Sequence, residues 1–184
     1  MNSSTTTTEH SPIDDFSQCH AGILGHLQAL GTLPALLEPA VRARQIAADT
    51  VGFFRQAVFE HHAEEEKELF PAVLASATPG EERERVRALV NTLTAEHRKV
   101  EAAWAKLEPK LKAVAKGHDS DVDGADIQAL VDSYQAHARF EEAVFLPLSQ
   151  TILGRNSNHL AALGLSMHMR HALPQVLNRF AGRI

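Results

Sequence analysis

The sequence contains a single cysteine, few aromatic residues, no long apolar run and no cluster of basic residues. One cysteine cannot form an intrachain disulfide framework, and its scarcity fits a reducing compartment. Because no stretch of about 18 apolar residues occurs, we expect no membrane-spanning segment. The first ten residues, MNSSTTTTEH, have neither the basic nor the apolar part of a signal peptide. We therefore expect a cytoplasmic protein that does not enter a membrane.

Charge and length narrow the class of protein further. Acidic residues outnumber basic ones by 23 to 18, which gives a formal net charge of −5, and no segment is rich in lysine or arginine. Binding to nucleic acid normally requires a basic patch that neutralises phosphates, so we expect no nucleic-acid partner. With 184 residues, the chain is long enough to bury a sizeable core in one domain.

The local sequence pattern is that of a helical protein. Alanine and leucine are frequent, and no segment alternates β-branched and polar residues as a strand does. The first helix is expected to begin at Ser11-Pro12 and to lose support at Gly31 and Pro34. Proline and glycine divide the chain into five helix-compatible segments: 12 to the mid-30s, 40–77, 81–115, about 124–152 and about 157–181.

These segments predict an all-α fold. Four long helices with short connections should pack as an antiparallel up-and-down four-helix bundle, which we place at residues 12–152. Residues 1–11 are expected to form a disordered N-terminal tail. Residues 153–184 are expected to contribute an extra C-terminal helix that packs on the bundle.

What the sequence has in surplus is histidine, with 11 residues. Histidine is the commonest metal ligand, so the spacing of these residues decides whether the surplus matters. Three consecutive predicted helices each carry a His-x-x-x-Glu pair, and a spacing of four residues places both side chains on one face of a helix. The pairs are His61/Glu65, His97/Glu101 and His137/Glu141.

Two of these pairs lie in segments that repeat each other. HHAEEEKELFP (61–71) aligns without gaps with HARFEEAVFLP (137–147). The alignment matches His61 with His137 and Glu65 with Glu141. It also matches Glu66 with Glu142 and Pro71 with Pro147. The second and fourth predicted helices therefore look like two copies of one element that builds a site.

The three pairs also fall at similar depths in an antiparallel bundle. Their distances from the connecting loops differ by roughly 3–9 Å at a rise of about 1.5 Å per residue, and His20 is the matching candidate on the first helix. Such a layer of imidazoles and carboxylates would be costly in an apolar interior without a cation. Seven ligands exceed the four of a structural zinc site and suit two ions, and mixed imidazole and carboxylate ligation suits iron. The predicted metal ligands are His20, His61, Glu65, His97, Glu101, His137 and Glu141.

On these residues the chain resembles the hemerythrin-like (HHE cation-binding) domain family, over roughly residues 12–152. The family pattern is a lone histidine on the first helix, His-x-x-x-Glu on the second, a histidine followed four residues later by another ligand on the third, and a histidine with a nearby acid on the fourth. The resemblance implies two non-haem iron ions with an oxo or hydroxo bridge, in a centre that binds or reacts with dioxygen. The pattern falls on His20, His61/Glu65, His97/Glu101 and His137/Glu141.

The sequence departs from the oxygen-carrier pattern of this family at two positions. Glu101 stands where the carriers have a second histidine, and Glu141 follows His137 by four residues where the carriers leave one more. Because a carboxylate-rich site favours ferric iron, sensing, iron handling and redox reactions gain weight over reversible oxygen carriage. We expect a protein that binds dioxygen, nitric oxide or peroxide, in oxygen or iron sensing or storage. A binding role is favoured over enzymatic turnover, and the alternative is a di-iron oxidase or peroxidase in oxidative-stress defence.

Other assignments stay open at the level of sequence. His62 can ligate metal, support a ligand or face solvent, and Glu101 can pair with Arg98 or Lys106 instead of metal. A third possibility for the whole chain is an interaction module whose C-terminal helix binds a partner, such as a second copy in a homodimer. The histidines of that helix, in the H-x-x-H of residues 168–171, could form a secondary metal-binding face. The glutamates around Glu65 are expected to be solvated: Glu64, Glu66 and Glu68.

Overall fold

The computed structural model describes residues 12–155. The expected tail at 1–11 and the expected C-terminal helix with its histidines lie outside the described residues. Within residues 12–155 every regular element is helical and no strand occurs, which confirms the all-α class for this part of the chain. The chain divides into two units, Met1–Arg42 and Ala43–Ile184, and each is described by itself.

Six α-helices and three π-helical turns follow one another along the described residues. A π-helical turn is a wide turn in which the backbone hydrogen bond spans five residues instead of four. The elements are α1 (Pro12–Phe53), π1 (Phe54–Val58), α2 (Phe59–Glu64), π2 (Glu65–Leu69), α3 (Phe70–Ser76), α4 (Glu81–Ala115), α5 (Gly124–Phe140), π3 (Glu141–Phe145) and α6 (Leu146–Gly154). None of the described helices combines the length and apolarity that crossing a membrane requires.

The first helix differs from the sequence-based expectation. We expected an end in the mid-30s, whereas α1 continues through Pro34 and Pro39. Each proline removes one backbone N–H and displaces the carbonyl four residues earlier, at a cost of about 3 kcal/mol in a helix interior. The side chains on this part of α1 are exposed, so water can solvate the displaced carbonyls. The break between the first and second predicted helices is not found, and the antiparallel four-helix arrangement stays a prediction.

The two connections that flank α4 contain residues suited to a turn or to the start of a helix. Gly80 precedes α4 with a φ of 101°, a left-handed conformation that favours glycine. Asp123 precedes α5, and its side-chain oxygen accepts a hydrogen bond from the backbone N–H of Ala125 at 2.8 Å. These residues fix where α4 and α5 begin, and therefore which faces of the two helices meet.

A layer of histidine lies between two apolar clusters of the second unit. Along α4 the buried residues Leu93, His97 and Val100 follow one another at helical spacing, so the histidine separates the two clusters on this helix. The Phe145 cluster consists of Leu69, Phe70, Val73, Ala77, Val86, Leu93, Phe145, Ile152 and Leu153. The Trp104 cluster consists of Val58, Val100, Trp104, Leu107 and Leu130.

Candidate metal centre

The buried polar residues of the described chain are concentrated in one place. Apart from Ser149, they are three histidines and two glutamates, each at most 5% exposed. They come from α2, π2, α4, α5 and π3, so helices distant in sequence converge here. Burying so many titratable groups costs free energy unless they are paired or bind a cation. The five residues are His62, Glu65, His97, His137 and Glu141.

The potential ligand atoms fall into two sets. In each set, one nitrogen or oxygen per residue lies within 4.8 Å of the others. The three-histidine group consists of His62, His97 and His137. The carboxylate group consists of His61, Glu65 and Glu141.

The three-histidine group is tightly packed. The rings of His62 and His97 are stacked, with centroids 3.9 Å apart and planes 6° from parallel. The ring of His137 stands nearly perpendicular to that of His97, with centroids 4.8 Å apart. Imidazolium ions would repel one another at these distances, so a proton on one ring disfavours a proton on its neighbours.

Each histidine of this group has one nitrogen occupied by a carboxylate. The Nδ1 of His97 donates to Glu66 at 2.8 Å, and the Nδ1 of His137 donates to Glu96 at 3.1 Å. The Nδ1 of His62 lies 3.4 Å from Glu101, a longer contact. Carboxylates in this position fix the tautomer and orientation of metal-binding histidines, because they leave Nε2 as the free electron-pair donor.

The Nε2 atoms of these histidines are buried without a well-directed hydrogen bond. The Nε2 of His97 lies 3.2 Å from a Glu65 oxygen, but the geometry is that of an ion pair and both atoms remain unsatisfied. A buried polar atom without a partner normally costs about 1–3 kcal/mol. Three such atoms around one point, on histidines oriented by carboxylates, fit a metal ion as the missing partner.

The pKa values of the two buried glutamates are shifted in opposite directions. Burial and the neighbouring Glu65 carboxyl group raise the pKa of Glu141 to about 9. Burial by itself would raise the pKa of Glu65 as well, but the close approach of His97 and Glu141 reverses this and lowers it. The surroundings therefore favour a proton on Glu141 and an ionised Glu65. Because a bound cation stabilises a carboxylate, metal would replace this proton.

Burial favours the neutral, metal-binding form of two of the histidines. It lowers the pKa of His61, and burial together with His97 lowers the pKa of His62 to about 4. Burial also acts to lower the pKa of His97, but the carboxylates of Glu65 and Glu66 raise it, so His97 must release any proton it holds when metal binds. Neutral imidazoles in a site that also contains an ionised carboxylate can bind a divalent cation without first releasing several protons.

The donor set fits iron. The two groups offer four imidazoles and two carboxylates, more than the four ligands of a closed zinc site. Carboxylate oxygens can bridge two ions, and imidazole with carboxylate is a ligand set that non-haem iron accepts. If iron binds, the three-histidine group would hold one ion and the carboxylate group the other.

Five of the seven ligands predicted from sequence lie in this centre. His61, Glu65, His97, His137 and Glu141 are brought together by the fold. Glu101 lies at its edge, where its carboxylate contacts His62 Nδ1 and Arg98. His20 lies in the first unit, which is described by itself. The roles of Glu101 and His20 as ligands stay predictions.

The structure adds residues whose roles the sequence pattern does not predict. The pattern leaves the role of His62 undecided, and its side chain is among the most buried of the centre. Glu66 was expected to be solvated, but it bonds His97 and Arg98. Glu96, which holds His137, was not singled out. The adjacent histidines at 61 and 62 were the only available signal, because nothing in the spacing of Glu66 or Glu96 distinguishes them from surface glutamates.

Comparisons with known proteins agree with this centre. Residues 11–149 match the family model described as the hemerythrin HHE cation binding domain. An uncharacterized protein of Haemophilus influenzae is 24% identical over 162 residues, which cover 84% of this chain and 91% of the relative. No solved structure matches this chain significantly. Because the family model spans most of the chain and its histidines and glutamates converge in one buried centre, the chain belongs to the hemerythrin HHE cation-binding domain family.

Proposed function

We propose that the protein is a non-haem di-iron protein that binds dioxygen or a related small molecule, such as nitric oxide or peroxide, in the sensing or storage of oxygen or iron. The observation that carries the proposal is the orientation of the buried histidines. Three Nδ1 atoms face carboxylates, and the three Nε2 atoms are left without hydrogen bonds beside a pair of buried glutamates. Iron bound there would supply redox chemistry and an affinity for small diatomic ligands.

The residues of the chain have separate tasks in this proposal. His62, His97 and His137 bind one ion, and His61 binds the other. Glu65 and Glu141 would complete the ligand set and offset the positive charge of the bound ions. Glu66, Glu96 and Glu101 hold the histidine rings in place. The surrounding apolar clusters exclude water from the centre.

A small, neutral ligand is favoured by the apolar surroundings. A groove with a volume of about 470 Å³ is lined almost entirely by apolar groups, among them Trp104 on α4 and Leu130 on α5. Each of these residues is seven positions from a histidine of the centre, His97 or His137, a distance of about 10 Å along a helix. Dioxygen and nitric oxide partition into such apolar space, whereas a charged substrate would not.

Loading the protein with ferrous iron without air tests the proposal. We expect about two iron ions per chain, measured by metal analysis after removal of unbound iron. On admission of air, a new visible absorption band should appear. A band that disappears when oxygen is removed indicates reversible binding, and rapid conversion to a stable ferric spectrum indicates sensing or redox chemistry. A protein that retains no iron contradicts the proposal.

The alternative is a di-iron oxidase or peroxidase, which the pair of buried carboxylates favours because carboxylates stabilise ferric iron. The two functions differ in turnover. With a reducing co-substrate, an oxidase consumes many equivalents of dioxygen and a peroxidase many equivalents of peroxide per iron centre, whereas a sensor or storage protein reacts about once. Steady-state consumption of dioxygen and of peroxide by the iron-loaded protein distinguishes them.

A further inference from the structure

The two proposed metal positions differ in how their ligands are held. Every histidine of the three-histidine group has an outer carboxylate on Nδ1. In the carboxylate group, His61 Nδ1 is buried without a hydrogen bond. The environment of the first position therefore depends on residues that do not themselves reach the metal.

One arginine links two of the three outer carboxylates. Arg98 donates through one guanidinium nitrogen to Glu101 at 2.5 Å and through the other to Glu66. Glu66 uses its remaining oxygen for His97 Nδ1, and Glu101 uses its remaining oxygen for His62 Nδ1. A continuous chain of polar contacts thus runs from His62 to His97 through a single guanidinium.

Arginine suits this position because its planar group can hold two carboxylates in a fixed mutual orientation. The two histidines that it serves are the stacked pair, whose planes differ by only 6°. Arg98 is 54% exposed, whereas His62 and His97 are buried, so it acts on the centre only through the two glutamates. An exposed ion pair contributes little to folding stability, so Arg98 is not needed to hold the fold together.

We propose that Arg98 is a positioning residue that sets the metal affinity of the three-histidine group and leaves the carboxylate group unaffected. By fixing Glu66 and Glu101, it holds the tautomers and ring orientations of His62 and His97. The inference rests on the proposed function, because it requires the two groups to bind metal. It goes further in making the two positions unequal and in naming the residue responsible.

Titration of the full-length metal-free protein with Co²⁺ alone tests this inference, with binding followed by visible absorption. Removal of a residue that orients a metal ligand typically weakens metal binding by about 10–100-fold. We expect Arg98→Gln to weaken one of the two binding events by that factor and to change its absorption, while the other event is unchanged. Arg98→Lys should restore part of the affinity, because lysine keeps the charge but cannot orient both carboxylates.

Arg87→Gln is the matched control. Arg87 lies on the same helix, is 52% exposed and pairs with Glu84 three residues before it, but it has no contact with the histidines. This variant should bind Co²⁺ as the wild type does. Circular dichroism of each metal-free variant shows whether helix content is retained.

The outcomes separate this inference from the proposed function. If the wild type binds two ions and Arg98→Gln binds them identically, the inference is overturned and the proposed function stands. Equal weakening of both events, with loss of helix content, also overturns it, because Arg98 would then have a structural role only. A wild type that binds fewer than two ions overturns the proposed function and the inference together.

Discussion

The partners of its two ring nitrogens indicate the role of a buried histidine. When one nitrogen donates to a carboxylate and the other is left without a partner, the free energy of burial is recovered only if something binds the second nitrogen. His62, His97 and His137 all have this arrangement. The same reading separates a ligand from its support, since Glu65 lies among the inner atoms while Glu101 lies behind His62.

His62 and Glu101 should therefore respond differently to substitution. His62→Gln removes an inner nitrogen, and we expect Co²⁺ stoichiometry to fall from about two to about one per chain. Glu101→Gln removes an outer carboxylate, and we expect two ions to be retained with one of them weakened about tenfold. Equilibrium dialysis with metal analysis measures both quantities.

The opposite pattern would contradict this assignment. If Glu101→Gln loses an ion and His62→Gln retains two, Glu101 is a ligand, as the sequence pattern alone predicts. Glu60→Gln serves as the control, because Glu60 is exposed on α2 and belongs to neither group of candidate ligands.

The sequence could predict which residues approach the centre but not their order of distance from the metal. Residues four apart on a helix differ by only about 40° around its axis, so the spacing of His97 and Glu101 does not separate an inner ligand from an outer one. His61 and His62 differ by about 100°, and a helix with one buried face would bury only one of them. Both contribute here because His61 reaches the carboxylate group and His62 the three-histidine group.

At the scale of elements, the internal repeat of the sequence has a structural counterpart. The wide turns π2 and π3 begin at Glu65 and Glu141, the two buried carboxylates. In each, the residue before the matched proline, Phe70 or Leu146, donates its backbone N–H to that glutamate's carbonyl. A proline removes the next N–H and pushes away the carbonyl four residues earlier, which favours such a widened turn. Each of the two buried glutamates thus begins a π-helical turn that is followed by a proline.

Substitution of these prolines should affect the centre more than the fold. In Pro71→Ala and Pro147→Ala we expect the widened turn to relax toward an α-helix, which shifts the helix register by about 100° per residue. Stability of the metal-free protein should be unchanged or higher, because proline inside a helix costs up to about 3 kcal/mol. Metal affinity should fall about tenfold, because the glutamate is displaced. Denaturant unfolding and Co²⁺ titration measure the two effects.

Pro109→Ala is the control for these variants. Pro109 is exposed like Pro71 and Pro147, but α4 contains it without a π-helical turn. We expect its substitution to leave metal affinity unchanged. If Pro71→Ala and Pro147→Ala also leave affinity unchanged, the prolines do not shape the centre.

The ends of elements were predictable where a residue type has a local reason to stop or start a helix. The predicted limits of 81 and 115 for α4 agree with the structure, because Gly80 and Gly117 adopt positive φ next to them. Asp123 similarly caps α5. The expected break in α1 was wrong because a proline weakens a helix without being able to end it alone. The π-helical turns could not be predicted, since Pro109 shows that proline is compatible with an ordinary helix.

The junction of α3, α4 and α6 gives a pH dependence with a defined sign. Arg155, just after α6, bonds both oxygens of Glu82, and the backbone N–H of Thr78 donates to the same carboxylate at 2.6 Å. These contacts, chiefly Arg155, lower the pKa of Glu82 to about 2. Since the folded-state pKa is below the unfolded one, the stabilisation is present above about pH 4.5 and is lost as the pH falls toward about 2.

Glu82→Gln should therefore lower the melting temperature only slightly at about pH 7, because its pair with Arg155 is partly exposed, and the difference from wild type should shrink at about pH 3. Thermal unfolding of the metal-free proteins at the two pH values measures this. Glu84→Gln is the control, because Glu84 has only the exposed pair with Arg87 and should show little effect. A difference between wild type and Glu82→Gln that stays constant with pH would contradict the assignment.

At the scale of the whole molecule, the metal centre interrupts the core of the second unit. The Phe145 cluster and the Trp104 cluster lie on either side of the histidine layer, and α4 passes through all three. Without metal this layer contains unsatisfied nitrogens and a glutamate whose pKa is raised by burial. With metal, those same groups connect α2, α4 and α5 through one centre. Stability and metal binding are therefore coupled.

Ferrous iron added anaerobically should raise the melting temperature of the metal-free protein. Binding at a free concentration about 100-fold above the dissociation constant adds about 2.7 kcal/mol per site. For a protein of this size, each kcal/mol corresponds to about 2–4 °C, so one occupied site should raise the melting temperature by about 5–10 °C. The increase should disappear on addition of a chelator. Mg²⁺ is the matched control ion, because it prefers oxygen ligands and should not satisfy the imidazole nitrogens. An equal increase with Mg²⁺ would show that the stabilisation does not come from the imidazole nitrogens. No increase with iron would show that the histidine layer is stable without a metal.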